Sequence, residues 1–216
     1  MSEIKARARV QSMGEEIANA VSHGMGFLAA AAATPWLIMS ATRNGSTSYV
    51  VGVSIFAVTM MLMYMTSTLY HSLPGSRAKK VLRILDHNAI FLLIAGTYTP
   101  IALGVLSGVW GWILFGLVWG LATAGIILKS FSGHKYHWIS MIIYVAMGWL
   151  VVIAAKPLFE AMPFAGIMWL LAGGICYTGG IVFYRMKSVP YMHFVWHLFV
   201  VAGTVCHFVA ISRYGF

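Results

Sequence analysis

Charge is what this sequence has least of. Only 9% of its 216 residues are Asp, Glu, Lys or Arg, while 60% are hydrophobic. A chain of this size folded in water would lack the charge to cover its surface, which excludes an ordinary soluble globule. Acids are scarcest: five in all, with Asp86 the single aspartate. Cysteine is nearly absent, and both copies, Cys176 and Cys206, fall inside apolar runs. That argues against a disulfide-stapled secreted fold and reads as two packing thiols. The segment MSEIKARARVQSMGEE is polar and basic with no small-residue cleavage site, so a cleaved signal peptide is not expected. No internal repeat is visible, and no stretch remains for a separate soluble domain.

Long apolar runs are what the chain does have. A spanning helix needs about 20 predominantly apolar residues. Seven such stretches occur, at about 18–41, 49–71, 85–106, 109–128, 136–155, 163–184 and 190–212. The expected fold is therefore all-α, a polytopic seven-transmembrane-helix bundle occupying residues 1–216 as a single domain. The formal net charge is +9. In a soluble protein that would suggest nucleic acid; here the placement of the charges matters more, and no nucleic-acid partner is expected. Lys5, Arg7, Arg9, Arg77, Lys79, Lys80, Arg83, Lys129, Lys135, Arg185 and Lys187 fall on one side of the spans. Only Arg43, Lys156 and Arg213 fall on the other. The positive-inside rule then puts the N-terminus in the cytoplasm and the C-terminus outside.

On that topology the polar residues of four helices meet in the cytoplasmic leaflet. Ser67 and His71 end the second span, Asp86 and His87 open the third, and His193 and His197 begin the seventh. Glu16, Asn19 and His23, at offsets of three and seven, share one face of the first. Two histidines at i, i+4 project from one helix face and can bind one metal ion, with a third supplied by a neighbouring helix. The candidate ligands are His71, His193 and His197. Neutral imidazoles suit zinc, and three protein ligands leave a fourth position for water, as in catalytic sites. Asp86 is a candidate general base, or a group that steadies a ligand imidazole, or only a favourable charge at a helix start. Ser67 can serve water or an oxyanion, or bond its own helix. Glu16, Asn19 and His23 either orient the ligands from behind or cap and anchor the first helix. His87, His134 and His137 are read as packing or interfacial. His207, roughly 21 Å along the helix from His193, is too far to join the site. Pro100 is expected to kink the third span, with Thr97 and Thr99 satisfying freed backbone groups.

These pieces resemble the hemolysin III branch of the progestin and adipoQ receptor family, within a wider superfamily that holds alkaline ceramidases. The resemblance rests on Glu16-Ile-Ala-Asn19-Ala-Val-Ser-His23, Ser67-Thr-Leu-Tyr-His71, Leu85-Asp86-His87-Asn88, Gly96-Thr97-Tyr98-Thr99-Pro100 and His193-x-x-x-His197. It implies seven helices, a cytoplasmic N-terminus, and a zinc near the cytoplasmic face held at His71, His193 and His197, with Asp86 and Ser67 around its water. It also implies a role in membrane lipid homeostasis, in the inner membrane of a Gram-negative bacterium. The long N-terminal region of the receptor branch is missing, so a hormone-receptor role does not carry over.

The expected function is thus a zinc-dependent intramembrane hydrolase of a lipid amide or ester, with membrane lipids as partners. One alternative is a non-enzymatic lipid sensor or scaffold with structural zinc. A second is a pore-forming cytolysin.

Overall fold

The computed structural model describes residues 9–73, 75–132 and 137–215, the Ser132 side chain excepted. His134 and Lys135, Lys5, Arg7 and Pro74, on which parts of the sequence reading fall, lie outside them. Among the described residues eight α-helices follow one another: α1 (Met13–Asn44), α2 (Thr47–Ser72), α3 (Arg77–Pro100), α4 (Gly108–Ser132), α5 (His137–Gly148), α6 (Ala155–Ala161), α7 (Phe164–Arg185) and α8 (Met192–Tyr214). A π-helical turn, Ile101–Leu106, continues α3, and a 3₁₀ turn, Leu150–Ala154, joins α5 to α6. No strand occurs among the described residues. The helical pieces make seven helices long and apolar enough to cross a membrane, with α3 and the π turn as the third and α5 to α6 as the fifth.

Two starts and one end differ most from the apolar pattern, each for a local reason. α1 begins at Met13 because Ser12 caps it: its hydroxyl accepts from the Glu15 N–H while the Glu15 carboxylate accepts from the Ser12 N–H, a capping box. α3 begins at Arg77, not near residue 85, because the Ser76 hydroxyl accepts from the Lys79 N–H. The first turns of α3 are basic, so hydropathy alone cuts them off. Asp86 therefore lies well inside α3, which removes the reading of it as a charge at a helix start. The fifth span runs on to Ala161, past the expected 155, because the backbone re-enters an α-helix after the 3₁₀ turn.

Breaks inside the spans are paired by side chains. At the end of α5 the Tyr98 hydroxyl donates to the Gly148 carbonyl (2.8 Å) and accepts from the Val151 N–H (3.0 Å). Non-helical backbone at membrane depth survives only with partners of this kind. At Pro100 the helix passes into the π turn. Thr97 and Thr99 donate to the Leu93 and Ala95 carbonyls (2.7 and 2.8 Å), not to the carbonyl four residues before the proline.

α1 packs against both α2 and α8, α2 against α3, α3 against α4, and α7 against α8. Close approach at α2–α3 depends on a small residue. A Cβ on Gly52 would lie 2.6 Å from Pro100 Cα, so only glycine allows the two backbones to meet there. Cys176 and Cys206 are free thiols, half-buried on α7 and α8. Between α3, α5, α7 and α8 the packing leaves a cavity of about 690 Å³. It runs from Arg9 and His193 at one end of the bundle to Leu158 and His207 toward the other.

Candidate metal centre

Two helices bring three imidazoles together at the end of the bundle where α1 and α8 start. His71 comes from the last turn of α2, and His193 and His197 from the first two turns of α8. One ring nitrogen from each lies within 4.8 Å of the others. The ring centroids are 5.2 Å apart for His71–His193, 5.1 Å for His71–His197 and 4.8 Å for His193–His197. His71 and His197 are buried and His193 is partly buried.

The far nitrogens tell which atoms are left for a ligand. His71 Nδ1–H donates to Glu16 Oε2 at 2.7 Å, and the other Glu16 oxygen accepts from Lys79 Nζ at 2.8 Å. His197 Nδ1–H points at the Asn19 carbonyl (3.2 Å) and the Ser22 hydroxyl (3.1 Å). His71 Nε2 is buried with no hydrogen-bond partner among the described residues. A buried ring nitrogen left unpaired is costly. A metal-ligating histidine typically donates its other N–H to a carboxylate or carbonyl. The donor set therefore fits a metal bound through Nε2 of His71 and His197, with His193 as third ligand, and the all-imidazole chemistry suits zinc.

Glu16 and Asn19 thus touch ligand rings: the Asn19 backbone carbonyl meets His197, while its amide donates to Gln11 (3.1 Å) and lies 3.5 Å from His71 Nδ1. His23 stands apart from the three-histidine group and stacks flat on His197, centroids 3.6 Å apart and planes within 4°. Asp86 and Ser67 line the same cavity as the three histidines. The Ser67 Oγ is buried with no hydrogen-bond partner among the described residues. His87 also lines the cavity, its Nδ1–H donating to the Arg83 carbonyl at 2.6 Å and lying 3.8 Å from Asp86 Oδ2. His137 pairs with the Tyr184 hydroxyl (3.1 Å), and His207 sits far down the cavity against the Leu170 carbonyl (3.2 Å).

Sequence reasoning overlooked Glu15, which positions α8. Its buried carboxylate accepts from the Arg9 guanidinium, from the Ser12 N–H, and from the Tyr191 N–H at 2.8 Å. Tyr191 caps α8 in a left-handed conformation (φ 62°), unfavourable for a residue with a Cβ. Glu15 holds it there, two residues before His193. The Ser12-x-x-Glu15 spacing was the readable signal. Ser22 and Lys79 were also overlooked, because their roles depend on partners far off in the chain.

A family model described as Haemolysin-III related matches residues 11–208. The chain belongs to the haemolysin-III-related family. The matched span contains every residue of the cluster above. This haemolysin-III-related chain is 44% identical over 200 residues to the Hemolysin-3 homolog of Bacillus subtilis (strain 168), covering 93% of this chain and 94% of that one. It is 42% identical over 210 residues to Hemolysin-3 of Bacillus cereus, 97% and 96% of the two chains. More distantly, it is 27% identical over 172 residues to the human Monocyte to macrophage differentiation factor, 74% of this chain and 68% of that protein. With bacterial haemolysin-III relatives and seven apolar helices, it is a multi-pass protein of the bacterial plasma membrane.

Proposed function

We propose that this haemolysin-III-related protein is a zinc-dependent hydrolase of a lipid amide or ester, serving membrane lipid homeostasis from a site near the cytoplasmic face of one seven-helix domain. The observation that carries the reading is the opening of three convergent imidazoles, a lone aspartate and a serine onto one long cavity. At about 690 Å³ and lined mostly by apolar side chains, it has the size and character of a site for an acyl-bearing molecule. The excess of Lys and Arg at the N-terminal end of the bundle supports a cytoplasmic orientation for that end.

His71, His193 and His197 hold the ion. Zinc, when bound, supplies Lewis acidity that polarises a carbonyl and acidifies water. Glu16 and the Asn19 carbonyl keep two ligand rings in the Nδ1–H tautomer and fix their planes. His23 packs one face of the His197 ring. Asp86 takes the proton from attacking water onto its carboxylate and returns it to the leaving group. Ser67 donates a hydrogen bond, either to Asp86 or to the developing oxyanion. The apolar cavity binds the acyl chain and keeps bulk water from the reaction.

The test is metal analysis of the purified protein together with turnover of a panel of lipid amides and esters. One zinc per chain is expected, with a fatty acid released. Asp86→Ala should retain zinc and lose about 10²–10⁴-fold in rate. Full turnover by that variant would remove the proposed base.

A second reading has its own support. The three histidines and their partners tie α1, α2 and α8 together, which is what a structural ion in a lipid sensor or scaffold would do. That reading requires the histidines for folding and yields no turnover of any lipid. The Bacillus cereus relative bears the name Hemolysin-3, which keeps a pore-forming cytolysin as the third reading.

A further inference from the structure

His207 is an ionisable side chain that the proposed chemistry leaves unused. It stands ten residues beyond His197 on α8, about 15 Å at 1.5 Å per residue, and lines the far part of the cavity. Ionisable groups at membrane depth are costly and mark a partner or a pathway. The chain makes room for this one, since a Cβ on Gly173 would lie 2.5 Å from His207 Nε2. Nε2 meets the Leu170 carbonyl at 3.2 Å. A carbonyl can only accept, so Nε2 carries the hydrogen. An imidazolium here would be a charge without a counter-ion, because the acids lining the cavity are Glu15 and Glu16 at the start of α1 and Asp86 in the first half of α3. The ring is therefore neutral, and its Nδ1 is a bare acceptor, buried with no hydrogen-bond partner among the described residues.

The surrounding wall has no hydrogen to spare for that acceptor. The other side-chain donors lining this part of the cavity are Thr97, Tyr98, Trp149, Tyr177 and Thr178, and each is spent inside the protein. Thr97 donates to the Leu93 carbonyl (2.7 Å), Tyr98 to the Gly148 carbonyl (2.8 Å), Trp149 to Thr178 Oγ1 (3.0 Å) and Thr178 to the Gly174 carbonyl (2.8 Å). Tyr177 and Thr204 share a bond of 2.8 Å; Thr204 gives its hydrogen to the Val200 carbonyl, so the tyrosine is the donor. Around them the lining is aliphatic, with Ile101, Leu158 and Ile167. A buried acceptor left unpaired is costly, so the missing hydrogen belongs to what fills the cavity. A carbonyl or phosphate oxygen brings none; a hydroxyl does.

We propose that His207 Nδ1 accepts a hydrogen bond from a hydroxyl on the hydrocarbon chain of the lipid in the cavity, so that the protein selects acyl chains hydroxylated far from their carbonyl end. The proposal deepens the hydrolase reading by naming the substrate's chain, and rests on it only in taking a long-chain lipid to be the occupant.

The experiment measures binding to the full chain in nanodiscs, by displacement of a fluorescent fatty acid. Four unbranched acids of equal chain length are the probes: the parent, one hydroxylated near its methyl end, the ketone at that same carbon, and one hydroxylated beside the carboxyl group. Each affinity is read against His207→Leu in identical nanodiscs, which cancels differences in partition into the bilayer. The distal hydroxy acid should bind the native protein about fivefold more tightly than the variant. The other three should bind both proteins alike, which also shows that the variant keeps its cavity. His207→Asn, which retains an acceptor, should recover part of the preference. Equal binding of the distal hydroxy acid by native protein and His207→Leu would overturn the site. So would a matching preference for the ketone, or a uniform loss of all four probes in the variant, which would make His207 a packing residue. Binding of these acids needs no reaction. The preference without turnover of any lipid would therefore sink the hydrolase reading alone, and turnover of plain chains without the preference would sink this site alone.

Discussion

His23 lies flat against His197, ring centroids 3.6 Å apart, and both His23 nitrogens are buried without a hydrogen-bond partner. The other face of His23 is closed edge-on by Tyr64, at 5.2 Å. His197 is thereby fixed by contact on one side and by the Asn19 carbonyl at Nδ1. A ligand ring fixed before the ion arrives loses little freedom on binding. His23→Leu should preserve zinc stoichiometry but weaken its affinity about tenfold, measured by competition against a chelator of known strength. An unchanged affinity would show that the stack is packing alone.

Glu16 is shared between His71 and Lys79. Glu16→Gln removes the carboxylate that both use, so zinc affinity should fall by about 10- to 100-fold. Lys79→Met leaves the His71 bond intact and should cost far less. Equal losses in the two variants would mean that Glu16 acts through the ion pair rather than through the imidazole.

Removing the ion by dialysis against a strong chelator, or removing a ligand by His193→Ala, should lower the melting temperature of the purified protein. A ligand that binds only the folded state at 100 times its dissociation constant contributes about 2.7 kcal/mol. Re-addition of zinc should restore the chelated protein but not the variant. Restoration of both would place the ion elsewhere.

The Glu15–Tyr191 bond joins α1 to the start of α8. Glu15→Ala should destabilise the fold by about 1 kcal/mol and disturb His193 two residues on. Tyr191→Gly introduced into that background should recover part of the loss, because glycine adopts a φ of 62° without strain. Thermal melting of the single and double variants measures both effects.

Gly52→Ala should destabilise strongly, since its Cβ would meet the backbone at Pro100. Gly116→Ala, with nothing within 4 Å of the new Cβ, should be neutral or slightly stabilising. Comparable melting temperatures for the two variants would contradict the α2–α3 packing described.

Seven spans and the residue types of the site were legible in the chain because each follows from local spacing. About 20 apolar residues make a span whatever surrounds them, and His193 and His197 share a helix face by period alone. Asp86 shows where such reading fails. Hydropathy began its helix near residue 85, but Ser76 caps it nine residues earlier, through a hydrogen bond that hydropathy cannot register. Glu15 was passed over for Glu16, although the two are neighbours, because what separates them is which distant group each reaches.

By itself, then, the sequence determined the membrane class, the number of spans and the stock of imidazoles, since all three depend on composition and on repeat along one chain. Only the tertiary structure decided that His71 of α2 would stand beside His193 and His197 of α8, and that Glu16 and Asn19 would hold two of those rings from behind. It also decided that the Lys129 ammonium would be buried without a hydrogen-bond acceptor among the described residues. Those relations join residues more than 40 positions apart, and their geometry comes from helix packing, which no local pattern encodes.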